Sequence, residues 1–195
     1  MLEIRRKFVH AAGIATIFLI LWLGRWWAAL IMLGLGTAML IASEYRKDRN
    51  KYKLIKIKQL DEIEEAAEKI FKEHERPNTL PFKGAIEFFF GCFIATALFE
   101  PMIAIAAISV LSLADAVSTL IGRCYGKHKL LINRKKSLEG STAFFLTAIL
   151  ALVFFVSPTR AIIAALFATI AEMLPYIDDN ITIPLTVGIV LTLVS

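Results

Sequence analysis

Cysteine and histidine are scarce in this chain of 195 residues, which has two of the first and three of the second. Cys92 falls in an apolar stretch and Cys124 in a basic one, so the sequence builds no disulfide framework and shows no zinc-ligand spacing. A Walker A loop is missing too. The segment Gly122 to His128 has three residues between its glycines, has His128 where Ser or Thr should follow the lysine, and follows an apolar run, not a strand. Basic residues interleaved with aromatics, which single-stranded nucleic acid would need, are absent outside the apolar stretches, so no nucleic-acid partner is expected. An even spread of charge is absent as well. The chain is 57% apolar and 20% charged, with a mean hydropathy of +0.66, too apolar for an ordinary soluble domain.

The charges are bunched, and between them lie neutral runs at Phe8 to Gly24, Trp26 to Ser43, Phe88 to Phe99, Pro101 to Ala114, Ser141 to Thr159, Ala161 to Ala171 and Ile181 to Ser195. Crossing a bilayer core of about 30 Å takes roughly 20 helical residues. Several runs fall short of that length and are lengthened by admitting one acid to each: Glu87 to the third, Asp115 to the fourth and Glu172 to the sixth. The expected fold is an all-α integral membrane protein, a single polytopic domain over 1–195 with about seven transmembrane helices. The first helix is expected to be retained, since no convincing cleavage site follows it before Trp26 and Trp27.

Twenty of the 22 basic residues fall on one side if the N-terminus lies in the cytoplasm, leaving Arg25 and Arg160 outside. The net charge of +5 then belongs to the cytoplasmic face and suits anionic headgroups or an anionic substrate. The sizeable insertion, 44–83, carries Leu60, Ile63, Ala67, Ile70 and Phe71 at helical spacing and the pairs Glu65/Lys69 and Glu68/Lys72. It is expected to form an amphipathic cytoplasmic helix between the second and third spans, packed against the bundle. The small residues of the spans form no strong pairing motif, so oligomeric state stays open, a homodimer included.

Ionisable residues inside a span are costly and are functional candidates. Glu87 lies about 6 Å of helical rise past Lys83, Asp115 about 10 Å before Gly122, and Glu172 about 6 Å before Tyr176. All three lie toward the basic face, His10 with them, which fits a site open to the cytoplasm better than the midplane site of a transporter. Ser112, Ser118 and Thr119 share the helical face of Asp115. Such a stripe suits a hydrated magnesium ion, and equally a hydrogen-bonded seam between helices. Residues 122–140 read GRCYGKHKLLINRKKSLEG, six cations against one acid. A polyphosphate would relieve that repulsion. Gly122, Gly126 and Gly140 permit close backbone approach, and the helix opening at Ser137 to Thr142 offers free N–H groups. A loop facing lipid headgroups is the alternative reading of the same residues.

The segment LADAVSTLIGRCYGKHKL with RKKSLEGSTA resembles the nucleotide-binding signature of the CTP-dependent lipid kinases, the group of dolichol kinase, phytol kinase and yeast-type diacylglycerol kinase. EIRRKFVHAAG, KGAIEFFFG and DDNITIP resemble further patches of that family in the same order, and a weaker similarity extends to phosphatidate cytidylyltransferases. The chain departs from the pattern at Leu113-Ala114, where many relatives have Gly before the Asp, and at Lys136-Ser137, where Lys-Thr is common.

The resemblance implies CTP as phosphoryl donor, Mg2+ as cofactor and a membrane-embedded lipid alcohol as acceptor. It places Asp115, Lys136 and Glu139 in catalytic roles and Arg123, Gly126, Lys127, Lys135, Ser137 and Gly140 around the nucleotide. Asp115, Asp178 and Asp179 are its candidate metal ligands, with Asn180 beside them, and Glu172 joins them from its depth in the sixth run; no role is assigned to Arg6, Lys7 and His10. Asp115 serves as metal ligand or as base. The rival readings are a CTP:phosphatidate cytidylyltransferase-like enzyme and a non-enzymatic membrane transporter. The acceptor stays open among dolichol, shorter polyprenols, phytol-like alcohols and diacylglycerol.

Overall fold

The computed structural model of the chain describes residues 13–47, 80–175 and 178–194. Arg6, Lys7, His10 and the expected amphipathic helix of the insertion lie outside the described residues. What is described is helical, with no strand among those residues. A short 3-10 turn, Gly13–Ala15, leads into α1 (Thr16–Leu23). Then follow α2 (Arg25–Lys47), α3 (Lys83–Leu98), α4 (Pro101–Cys124), α5 (Leu138–Leu152), α6 (Pro158–Met173) and α7 (Asp179–Leu193). Each helix falls on one of the seven neutral runs, and the all-α expectation holds for these residues.

Length separates the helices. Among the described residues, Arg25–Tyr45 and Pro101–Cys124 are long and apolar enough to cross a membrane. The others have 16 residues or fewer, a rise of about 24 Å or less against a hydrocarbon core of about 30 Å. α4 is the centre. Every residue from Ala104 to Ser112 is buried, as expected of a helix that is apolar all round. α5, α7, α3 and α1 pack on it. Its alanines 104, 106 and 107 are fully buried, which lets neighbours approach closely.

Backbone approach is closest at Gly91 of α3, where an added Cβ would fall on the Asn180 carbonyl of α7. Gly24 joins α1 to α2 with φ of 78°, a left-handed conformation that glycine adopts without strain.

Arg25 and Arg160, the two basic residues set apart by the charge count, share a structural task. Arg25 donates from Nε to the Thr96 carbonyl at 3.0 Å and from its guanidinium to the Ala97 carbonyl. Arg160 Nη2 donates to the Leu191 carbonyl at 3.0 Å. Both therefore satisfy carbonyls in the last turn of a neighbouring helix, groups that helix geometry leaves without an intrahelical donor. Trp22, Trp26 and Trp27 stand exposed at this end, with the Arg25 guanidinium 4.7 Å over the Trp26 ring. Exposed tryptophans with a snorkelling arginine suit a membrane–water boundary, and with the two long apolar helices they point to membrane association.

The pairing of the α2 start with the α3 end, and of the α6 start with the α7 end, sets both pairs antiparallel. The opposite end of the bundle gathers the α4 and α6 C-termini with the α5 and α7 N-termini.

Candidate active site

Four helices meet at that second end around one carboxylate. Glu172, in the last turn of α6, is fully buried. Its Oε1 accepts from Ser118 Oγ of α4 at 2.8 Å and from Lys136 Nζ at 2.6 Å, and its Oε2 accepts from Ser141 Oγ of α5 at 2.9 Å. Lys136 Nζ also donates to Asp179 Oδ2, at the start of α7, at 2.7 Å. One carboxylate thus ties α4, α5 and α6 together, and one ammonium links it to α7. Asp115, three residues before Ser118 and fully buried, lies close enough to act electrostatically on both Lys136 and Asp179. A buried charge persists only when paired and hydrogen-bonded, and Glu172 has three donors.

Lys136 lies in the loop, outside the spans. Burial alone would lower its pKa; the carboxylates of Asp179, Glu172 and Asp115 outweigh burial and raise it above the ordinary lysine value. Its ammonium therefore stays charged among these acids at any working pH.

The loop itself is an ordered hairpin. Lys129 and Ser137 form an antiparallel bridge. The Leu130 N–H donates to the Lys136 carbonyl at 3.2 Å and the Leu138 N–H to the His128 carbonyl at 2.9 Å. Glu139 closes its base, accepting from the His128 N–H at 3.2 Å and meeting His128 Nδ1 at 2.7 Å. Backbone N–H groups, its own foremost, and then the His128 ring hold the Glu139 carboxyl down at about 2. Through these bonds Glu139 ties the first helical turn of α5 to the hairpin.

The loop glycines have structural partners of their own. A Cβ on Gly126 would strike the Gly122 carbonyl and come within 2.5 Å of Ser137 Oγ, and one on Gly140 would lie 3.0 Å from the Ser118 carbonyl. Ser137 Oγ accepts from the Gly140 N–H at 3.2 Å and caps α5. Gly122, Gly126, Gly140 and Ser137 thus let α4 and α5 touch where the hairpin begins. Arg123, Lys127, Lys129, Arg134 and Lys135 are exposed and leave their charges toward solvent.

The four acids expected to hold metal divide. Asp115, Glu172 and Asp179 share the surroundings of Lys136, whereas Asp178 caps α7, its Oδ1 accepting from the Asn180 N–H at 3.0 Å and from Asn180 Nδ2 at 2.6 Å. Asp178 also acts on Glu87 of α3, which pairs with Lys83 at 3.5 Å. Among the described residues no group of three or more His, Cys, Asp or Glu is arranged to hold a metal ion. The oxygens of Glu172 are engaged by two serines and a lysine. In this arrangement the acids fit the ammonium of Lys136 and do not fit a magnesium ion.

Two site residues have no strong sequence signal. Ser141 lies at the beginning of a neutral run, and its contact with Glu172 becomes legible only once α5 and α6 are packed. His128 reads as an isolated histidine, and its pairing with Glu139 depends on the hairpin. Ser112 Oγ and Asn180 Oδ1 are buried and make no hydrogen bond among the described residues, so each has polar capacity to offer a bound group.

No protein-family model matches the chain, and no solved structure matches it. Curated proteins do. A probable phytol kinase 2, chloroplastic, of Glycine max is 33% identical over 109 residues, covering 47% of this chain and 37% of the relative. A farnesol kinase, chloroplastic, of Arabidopsis thaliana is 35% identical over 101 residues, covering 43% of this chain and 33% of the relative. A probable phytol kinase 1, chloroplastic, of Oryza sativa subsp. japonica is 28% identical over 142 residues, covering 63% of this chain and 45% of the relative. The chain spans a third to under a half of the length of these relatives. The resemblance to lipid-alcohol kinases read from the sequence is thus met by relatives bearing such names.

Proposed function

We propose that the chain is a membrane-embedded lipid-alcohol kinase that transfers the γ-phosphoryl group of CTP to the hydroxyl of an isoprenoid-type alcohol. The observation that carries this reading is the network of buried Glu172 with half-buried Lys136 and Asp179 beside Asp115, set under an exposed basic hairpin at one end of an apolar bundle. A lipid hydroxyl reaching this end from the bilayer would meet a polyphosphate arriving from water. In this proposal the end is cytoplasmic, the N-terminus lies on the same side, and all seven helices belong to the membrane domain. The short helices then need a thinned bilayer or snorkelling flanks.

Arg123 and Lys127 hold the polyphosphate, as cations do wherever negative charge is transferred between oxygens. The alcohol oxygen attacks the γ-phosphorus, the bond from that phosphorus to the bridging oxygen breaks, and CDP leaves. The hydroxyl proton passes to the Asp115 carboxylate. Glu172 positions Lys136, and Lys136 keeps Asp179 and Asp115 from repelling each other. Ser112 Oγ and Asn180 Oδ1 have the polar capacity to orient the incoming hydroxyl. Magnesium carried in with the nucleotide would neutralise charge on its phosphates, without a dedicated set of protein ligands.

The proposal is tested by incubating purified protein in nanodiscs with CTP and, separately, farnesol, phytol, a longer polyprenol and diacylglycerol, and weighing the lipid products by mass spectrometry. A monophosphate of an isoprenoid alcohol is expected. Phosphatidic acid alone would move the acceptor to diacylglycerol, and no phosphorylated lipid from any acceptor would reject the kinase reading.

A further inference from the structure

The hairpin carries at its tip something a nucleotide does not require. Leu131 is 93% exposed and Ile132 68% exposed, side by side at the turn of an ordered element. The turn is fixed by the Lys136 N–H donating to the Asn133 carbonyl at 2.9 Å and the Lys135 N–H donating to Asn133 Oδ1 at 3.3 Å. Single exposed apolar residues need no explanation. Here two of them project together, and exposed Lys129, Arg134 and Lys135 flank them in sequence. No acid occurs from 122 to 138.

We infer that the hairpin tip docks on the anionic surface of the bilayer, with Leu131 and Ile132 entering the headgroup–acyl boundary and Lys129, Arg134 and Lys135 lying on lipid phosphates. An apolar tip within a collar of cations matches both halves of that boundary: hydrocarbon inward, negative charge at the rim. A soluble polyphosphate matches only the cations. The loop's charges then divide, Arg123 and Lys127 at the hairpin base serving the nucleotide and the tip cations serving lipid. The division has a mechanical consequence, because the segment that leaves the tip runs to Lys136. Lipid contact at one end of a bridged hairpin helps to hold the ammonium at the other end against Glu172 and Asp179. The docking rests on the membrane reading of the chain; only the assignment of Arg123 and Lys127 to a nucleotide rests on the kinase reading.

A spin label at the tip tests it. The full chain carries Cys124→Ser, which removes the exposed cysteine, together with Leu131→Cys. A second protein carries the label at Leu150→Cys, a position on α5 that is 65% exposed and reports whether the bundle is in lipid at all. Both are placed in nanodiscs of phosphatidylcholine alone or with added phosphatidylglycerol. Collision with oxygen and with a water-soluble nickel chelate is then read by power-saturation EPR.

The expected result is that phosphatidylglycerol lowers nickel access at Leu131→Cys several-fold and raises oxygen access, and that Arg134→Gln with Lys135→Gln abolishes the change. Leu150→Cys should report lipid in both compositions. A tip label that stays nickel-accessible in both lipids while the α5 label reports lipid would overturn the docking. So would protection that appears only on adding CTP, which would assign the tip to the nucleotide. Water exposure at both positions would reject the membrane reading and the docking with it.

Discussion

Lys136→Met is expected to destabilise the protein by about 3–5 kcal/mol, the cost of removing one partner from a buried ion pair and leaving the other uncompensated. The cause is specific: Glu172, with no exposure, and Asp179 would lose bonds of 2.6 and 2.7 Å to the same ammonium, while Asp115 would lose a nearby positive charge. Three carboxylates would remain close together in a region of low dielectric. Glu172→Gln in the same background removes one of those charges and keeps the side-chain shape, so it should restore part of the loss. The amide oxygen can still accept from Ser118, and its NH2 can donate to Ser141, whose hydroxyl can turn to accept. Unfolding of the four proteins of this cycle, followed by tryptophan fluorescence in one detergent, gives the coupling between the two residues. A coupling near zero would mean that Lys136 does not rest on Glu172 in the folded protein.

Asp115→Asn should lower kcat by roughly 10²- to 10³-fold, the loss typical of removing one group that acts on the transition state. The KM for CTP should change little, because Asp115 is buried on α4 and the nucleotide is held from the exposed loop. Arg123→Gln makes the contrast: its loss should appear mainly in KM, as expected when uniform binding energy is removed. Steady-state kinetics with a short-chain isoprenoid alcohol in mixed micelles would separate the two. Equal losses in KM for both variants would argue that Asp115 binds nucleotide and does not handle the hydroxyl. Asp115→Asn should also retain more thermal stability than Lys136→Met, since it removes a negative charge from the cluster.

The positions of the helices could be read from the sequence because charge segregation is coarse and one-dimensional. Among the described residues each of the seven neutral runs holds a helix, although α4 continues past Ala114 to Cys124 and α5 stops at Leu152, short of Thr159. Membrane-crossing length was less legible: apolar composition sets where a helix can be, while caps such as Ser137 and Asp178 set where it starts. Arg25 and Arg160 stood out by sign alone, and their work on helix carbonyls needed the third dimension.

In the site, Asp115, Glu172, Lys136 and Asp179 could be chosen individually from depth, charge and family resemblance. Their ranking could not. Glu172 is the hub because Ser118, Ser141 and Lys136 converge on it from three separate segments, and no spacing along the chain encodes that convergence. Glu139 entered through family resemblance, and the loop glycines through the close backbone approach they permit. Their contacts, a hairpin clasp and a helix contact, could not be read from the sequence, since a glycine that lets a phosphate approach and one that lets a helix approach are the same letter.

The most direct measurement is the fate of labelled CTP. Protein in nanodiscs with an isoprenoid alcohol receives CTP labelled at the γ-phosphate in one reaction and at the α-phosphate in another; a parallel pair contains phosphatidic acid. Phosphoryl transfer to an alcohol predicts γ label in the lipid extract, α label left in CDP, and γ transfer slowed by roughly 10²- to 10³-fold in Asp115→Asn. Appearance of the α label in the phosphatidic acid pair, with pyrophosphate released, would contradict the account and make the site one of cytidylyl transfer.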